Sequence, residues 1–522
     1  MNPPRIDLDG ETITQLQQRM AAGEINSREL TEHCLARISA LDGKVNAILE
    51  LNPEALIIAD ALDAERLSIG PRGLLHGLPI LVKDNIDTAD QMLTTAGSLA
   101  LVGHHATHDA HVVTKLREAG AVLLGKTNLS EWANFRSARS SSGWSSRGGQ
   151  TRNPYALDRT PGGSSSGSAV AVACGFCVAA IGTETDGSIV GPAAMASIVG
   201  IKPSLGRVGR SGIIPIAHSQ DTAGPMARNV ADALIVLQAI SGPDPLDEIT
   251  NLGDEQAADD FLAALNPGAL RGARIGVARN YCGFNDAVDE LVQKCLTVMR
   301  EAGATIVEDL ELTSVEDIRP SELQVMMTEF KAGLNDYLAD VESELPVHSI
   351  TDLIAFNIEN QAVAMPYFGQ DIIEKSERMG PPTGPGYLDA LATSKRLSQT
   401  EGIDKLVSEH NLDALVAPTT CAPWLIDWIN GDNRTGGSAC LAAVSGYPSI
   451  TVPAGYVFGL PIGLSFFSTA FLETRLGALA NAFQQQRPVR TPPTFADGFR
   501  PSESGMEGMD RRDATYDGFM RR

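Results

Sequence analysis

The sequence predicts an α/β protein, and three observations predict it. Short apolar runs of strand length recur along the chain, among them Leu78–Lys83 (LPILVK), Ala273–Ala278 (ARIGVA) and Ala414–Ala417. Longer segments between them carry apolar residues at helical spacing, and that alternation suits a sheet covered by helices. Glycine and proline, 50 and 29 of 522 residues, are abundant enough to supply tight connections. A chain of this length holds about three domains or one large one. Hydrophobic residues make up 43% and charged residues 20%, which describes a folded chain with a large core, not a disordered one.

The elements follow in order. Thr12–Ala22 and Ser27–Ala40 have helical apolar spacing, with Ser27 as the expected N-cap, and Asn52-Pro53 opens a third helix. Leu78–Lys83 reads as a buried strand, Ala110–Ala119 as a helix and Ala121–Gly125 as a strand. Ser137–Gly149 is too polar and glycine-rich for regular structure. The Gly/Ser loop Gly162–Ser168 precedes an Ala-rich helix and a strand ending near Thr183, and Arg228–Ile240 is helical. After Ala273–Ala278 come a helix at Ala287–Ala302 and the strand-like TIVE. Residues Glu322–Thr400 read as mostly helical, interrupted at Gly380–Gly386 (GPPTGPG), and form an insertion over about 320–412. Strands resume at Ala414–Ala417, Ser449–Val452 and Ile462–Phe466, and a helix at Glu473–Gln485 closes the fold. We expect a single α/β domain over 1–500 and a polar tail over 501–522.

Lys+Arg number 41 and Asp+Glu 64, a formal net charge of −23. That balance excludes general affinity for nucleic-acid phosphates or anionic lipid, which needs clustered positive charge. The start, MNPPRIDLDGETITQ, has no basic n-region or apolar h-region, so no secretory signal is expected. The longest apolar stretch, Ala169–Gly182, falls short of the ~20 residues of a membrane span. Seven scattered cysteines, an odd number, fit free thiols in a reducing compartment, so the expectation is a cytoplasmic protein. The C-x-x-C at Cys174 and Cys177 falls inside an Ala/Val helix and reads as buried small residues.

Three motif matches carry little chemistry. Gly120–Thr127 satisfies the Walker A pattern, but its Ala-Val-Leu-Leu centre favours a strand whose N–H groups are spent in a ladder. Gly163–Gly167 satisfies G-x-S-x-G without the strand a nucleophile elbow needs in front of it. His104, His105, His108 and His111 could hold a metal, yet a solvated loop entering a helix explains them as well, and no metal is expected.

A serine nucleophile needs a base, and no histidine falls within the Ser-rich segment Ser164–Ser188; the nearest is His218. A desolvated lysine is the usual substitute, because burial lowers its pKa toward neutrality. Lys83, which ends an apolar strand, and Lys202, in GIKPS, are the candidates.

Several segments carry a resemblance. Gly162–Ser168 (GGSSSGS), Gly182–Ala193 (GTETDGSIVGPA), Gly200–Ser204 (GIKPS) and Asp221–Arg228 (DTAGPMAR) resemble the amidase signature family. His76–Asn85 (HGLPILVKDN) resembles its lysine-bearing segment, and Val444–Gly463 its C-terminal strand pair. The resemblance runs from about Asp7 to Gln486 and implies a mixed β-sheet core flanked by helices on both faces. It also implies a Ser–cis-Ser–Lys triad in which Ser188 is the nucleophile, Ser164 the bridging serine and Lys83 the base. The backbone N–H groups of Thr185, Asp186, Gly187 and Ser188 would form the oxyanion hole. No cofactor is implied.

NLSEWANFR, GWSSRGGQTRNPY, GTETDGSIV and SQDTAGPMAR resemble the peptide amidases within that family. The expected activity is therefore hydrolysis of C-terminal peptide amides or related small amides through an acyl-enzyme, by a monomer or homodimer. The alternatives are an arylamidase or carbamate hydrolase with the same triad, a glutamine-dependent amidotransferase subunit, and, from the Walker match, a nucleotide switch. Where many members read D-T-G-G-S-I-R, this chain has Glu184, Asp186 and Val190. An acidic side chain at Asp186 must point away from the oxyanion or meet a positive group, and Val190 removes an expected partner of Glu184. Pocket shape is expected from Ser137–Gly149, the helical insertion and Cys421–Asn433.

Overall fold

The computed structural model describes residues 6–256, 260–313 and 315–498. The tail expected at 501–522 lies outside the described residues. The chain begins with two capped helices. Thr12 and Gln15 form a capping box on Ile13–Ala21, and Asn26 and Glu29 form one on Ser27–Val45. The N-cap of the second helix is thus Asn26 and not Ser27. Asn26 has extended backbone and its side chain accepts from Glu29 N, while Ser27 lies in the first turn and donates from Oγ to Gly77 O at 2.9 Å.

Eleven strands form one mixed sheet. They are β1 (Ile48–Leu51), β2 (Pro79–Lys83), β3 (Val122–Thr127), β6 (Ala179–Glu184), β7 (Val199–Lys202), β8 (Thr222–Ala227), β9 (Arg274–Ala278), β10 (Thr305–Leu310), β11 (Ala414–Pro418), β12 (Ser449–Val457) and β13 (Leu460–Phe467). Their order is β1-β3-β2-β6-β8-β7-β12-β13-β11-β9-β10. Strands β3, β2 and β6 run parallel, as do β11, β9 and β10; the centre from β6 to β11 is antiparallel. Helices pack on both faces, with Val230–Ile240 against β8 and Ser166–Ala173 against β6.

Strands β7 and β8 are central, yet GIKPS and DTAGPMAR, where they lie, carry no strand expectation. Glycine is needed there: a Cβ on Gly224 would lie 2.1 Å from Ile201 O on the neighbouring strand. The Ser137–Gly149 segment departs from its expectation too. A two-residue ladder joins β4 (Trp144–Ser145) to β5 (Gly149–Gln150). Side chains from outside hold it: Asn128 Nδ2 donates to Gly149 O at 3.1 Å, and Asn46 Nδ2 to Gly148 O at 2.5 Å.

The helical run spans Val315–His410, broken near Gly380–Gly386 between Asp371–Glu377 and Pro385–Lys395. It has its own apolar contact with the sheet-bearing part. Phe330, Leu334, Leu338 and Leu353 pack with Leu101, Trp132, Phe135 and Ile216. No helix among the described residues is long and apolar enough to cross a membrane.

Candidate active site

Lys83 ends β2, between β3 and β6, where every strand position is buried. Its Nζ lies 2.8 Å from Ser164 Oγ and 2.8 Å from Thr183 Oγ1, with Thr183 O at 3.3 Å. Thr183 belongs to the adjacent β6, so the parallel β2–β6 pairing brings lysine and threonine together. Asn85 Nδ2 also donates to Thr183 Oγ1, at 3.1 Å. Burial pushes the Lys83 ammonium down to about 7, while Asp221 and Glu184 pull it back up.

Ser164 follows a cis peptide bond from Gly163, just before the Ser166–Ala173 helix. Neighbouring serines fasten this loop. Ser166 Oγ donates to Gly162 O at 2.6 Å, Ser165 Oγ to Thr183 O at 3.0 Å, and Ser165 N to Ser188 O at 3.1 Å. Close packing demands glycine at position 167, where a Cβ would lie 2.3 Å from Ala47 O. The Ser188 hydroxyl makes no hydrogen bond among the described residues; it lines a cavity of about 310 Å³ that Gly162 and Gly163 also line.

The loop between β6 and Ser188 is held by Glu184. Its carboxylate accepts from the N–H groups of Gly187 (2.9 Å), Ile189 (2.7 Å) and Val190 (3.0 Å). Burial pushes this carboxyl up and the charge of Lys202 pulls it down. Backbone donors and Lys202 therefore occupy the role left open by Val190. Of the four N–H groups named for an oxyanion, that of Gly187 points to Glu184. Those of Thr185, Asp186 and Ser188 have no protein acceptor among the described residues.

The Asp186 carboxyl lies on the cavity wall against Glu322 and Cys440, their polar side-chain atoms within 4.8 Å of one another. These three are the one group of potential metal ligands among the described residues. Arg319 lines the same wall and responds to the charge of Asp186 and Glu322. Burial and Asp186 push the Glu322 carboxyl up to about 8, against Arg319, Gln220 and Arg434. The expected shapers of the pocket all reach it: Ser142 from the polar loop, Leu323 and Met326 from the insertion, Trp424 and Asp432 from the C-terminal loop.

The other candidates lie elsewhere. Lys202 Nζ donates to Pro203 O at 2.9 Å and bonds neither serine, although burial lowers it to about 8. Gly120–Thr127 runs into β3, and Lys126 is buried with Nζ on Ile86 O (2.5 Å) and Thr94 Oγ1 (3.0 Å). The four histidines do not gather: His104 bonds Glu342 and Tyr337 of the insertion, while His111 faces Asp244. Cys174 and Cys177 are buried, with thiols pushed up by desolvation. The sequence reading missed Thr183, Asp221, Arg319, Glu322 and Arg434. The first two sit inside quoted motifs; the other three stand in segments that carry no motif.

This arrangement belongs to a known class. A family model described as Amidase matches residues 29–476, and the chain belongs to that family. A probable amidase of Arabidopsis thaliana is 39% identical over 495 residues, covering 93% of this chain and 91% of the relative. Among solved structures, native peptide amidase from Stenotrophomonas maltophilia is 48% identical with TM-score 0.88, covering 93% of this chain and 99% of that one. The peptide amidase PAM in complex with the competitive inhibitor chymostatin matches with TM-score 0.90 and 48% identity, with coverage of 93% and 99%. The protein is a serine amidohydrolase of the amidase signature family, closely related to these peptide amidases, and it acts on C–N bonds.

Proposed function

We propose that the chain hydrolyses the terminal carboxamide of peptide amides, with Ser188 as nucleophile, Ser164 as bridge and Lys83 as base. The observation that carries this reading is the 2.8 Å contact between a fully buried Lys83 Nζ and Ser164 Oγ, in a loop tied by Ser165 N to the carbonyl of Ser188, whose hydroxyl is free among the described residues and which lines the cavity. With Lys83 neutral, the Ser164 hydroxyl donates to Nζ and receives the proton of Ser188 Oγ as that oxygen attacks the amide carbon. The carbonyl oxygen gains negative charge, which N–H groups within Thr185–Ser188 stabilise, those of Thr185, Asp186 and Ser188 having no internal acceptor among the described residues. The C–N bond then breaks. The proton returns through Ser164 to the leaving nitrogen, ammonia departs, and water cleaves the serine ester by the same relay.

The likeness to peptide amidases supports a peptide carboxamide as the substrate. The test is mass spectrometry of a short peptide amide with parallel measurement of ammonia. Conversion of the terminal amide to acid, with internal bonds intact, is the expected result. Turnover of anilides or carbamates with peptide amides untouched would move the assignment to an arylamidase or carbamate hydrolase.

A further inference from the structure

A second cavity, of about 350 Å³, adjoins the catalytic one, and Arg319 and Arg434 line both. The far cavity is walled by Tyr281, Phe284, Glu316 and the Thr435–Gly437 turn, none of them involved in the relay. Cys440 lines it from the other side of the Asp186–Glu322–Cys440 group, so the two cavities meet across that group and the two arginines.

The shared wall holds unspent hydrogen-bonding capacity of both kinds. Neither guanidinium makes a hydrogen bond or ion pair among the described residues, and each carries five N–H donors. Asp186 Oδ1 is a buried acceptor without a partner. A carboxylate ligand would meet Arg319 and Arg434 but be repelled by Asp186 and Glu316. An ammonium ligand would meet the acids but be repelled by both arginines. A neutral group that offers donor and acceptor side by side satisfies both, and the peptide unit is such a group.

We propose that Asp186, Arg319 and Arg434 form a subsite that reads peptide backbone, extending the catalytic cavity into the second one for the residues preceding the carboxamide. Carbonyl oxygens of the acyl chain accept from the guanidinium groups, and a peptide N–H donates to Asp186 Oδ1. Recognition falls on the main chain, so side-chain identity matters little. The inference rests on the peptide-amide reading, because an aryl or carbamate acyl group has no successive peptide units to offer.

The test measures kcat/KM, by ammonia release, for N-acetyl-alanine amide and its dialanine and trialanine homologues. It adds a trialanine analogue with one internal peptide N–H replaced by an ester oxygen. In the wild type kcat/KM should rise at least about tenfold from shortest to longest, the size of one hydrogen bond to a charged group. The rise should shrink to below about twofold in the Arg319→Gln/Arg434→Gln double variant, and the ester should lose at least part of it in the wild type. The ester arm needs no folded variant. A flat wild-type series, or a double variant that keeps the full rise, overturns the subsite while leaving the peptide-amidase reading intact. No turnover of any peptide amide overturns both.

Discussion

The side of the cavity formed by Gly162, Gly163 and Thr185–Ser188 joins in sequence to Ser164 and Thr183, which with Lys83 and Asn85 are buried and bonded to one another, whereas the insertion brings Arg319 and a partly exposed Leu323 to the cavity with their outer faces in water. The first wall is built on paired strands. Lys83 and Thr183 are fixed by the β2–β6 ladder, and the Ser164 loop is laced to β6 by Ser165. The second wall is held by its apolar contact and by polar side chains that cross to the insertion. Arg136 reaches the carbonyls of Ala364, Phe368 and Gly369, and His104 and Asp87 hold Tyr337. The proposed proton relay requires fixed geometry, which a strand ladder supplies. The proposed subsite needs capacity left unspent, which Arg319 and the loop that carries Arg434 supply.

The sharpest way to break this comparison is to substitute on each wall. Ser188→Ala and Lys83→Ala should each lower kcat/KM by roughly 10³–10⁶-fold, and Ser164→Ala nearly as much, because the proposed relay uses the three as one unit. Leu323→Ala, on the insertion side, should change kcat/KM by about tenfold or less, because this side chain is partly exposed and has only part of its apolar area to lose. Circular dichroism would establish that each variant is folded. Wild-type-like turnover in Lys83→Ala would end the proposed mechanism.

The two walls also differed in how far the sequence exposed them. Strand β2 and the Gly/Ser loop were legible because a continuous apolar run and a glycine cluster each have one ready structural meaning. Strands β7 and β8 were not, since glycine and proline are poor strand formers, and only the 2.1 Å approach of a Cβ on Gly224 to Ile201 O shows why glycine is required. Asn26 and Ser27 are adjacent and both able to cap; only backbone angles separate them. Arg319, Glu322 and Arg434 were hidden for another reason. Arg434 is more than a hundred residues from the other two, and one helix and one loop meet only in the fold. No local pattern encodes such a meeting.

The tether between the walls is the next point to break. Arg136 is fully buried and lies 2.7 Å from the equally buried Glu131. Arg136→Leu would leave that carboxylate without its cation and three carbonyls without their donor. It should cost about 3–5 kcal/mol in denaturant unfolding. Adding Glu131→Gln should recover part of the loss, since the uncompensated charge is then gone. A single variant as stable as wild type would mean the insertion is held by its apolar contacts alone.

The pH dependence sharpens the comparison from the core side. As the proposed base, Lys83 must be neutral to accept a proton, and burial places it at about 7. Log kcat/KM should therefore rise with unit slope below about pH 7 and level off above it. The same shift has a stability sign. The folded pKa lies below the unfolded lysine value, so between them the unfolded chain binds more protons, and this residue's contribution to stability rises with pH across that window. Lys83→Met should abolish both the acid limb, with activity, and that part of the stability slope. An acid limb well below pH 6 in wild type would instead point to a carboxylate base.

The smallest effect tests whether burial, not distance, makes the Arg136 contact matter. Arg396 and Glu401, on the insertion, form an ion pair at 2.6 Å, as short as the Arg136–Glu131 contact, but both side chains are about half exposed. Water already solvates each charge, so little is gained on pairing and little is lost on separation. Arg396→Ala should therefore shift stability by less than about 0.5 kcal/mol and leave kcat/KM unchanged. Salt titration gives a second reading: raising ionic strength should erase what remains of the exposed pair and leave the buried one in place. A loss in Arg396→Ala comparable to that in Arg136→Leu would show that the outer helices of the insertion are held as tightly as the sheet, and the contrast between the two walls would fall.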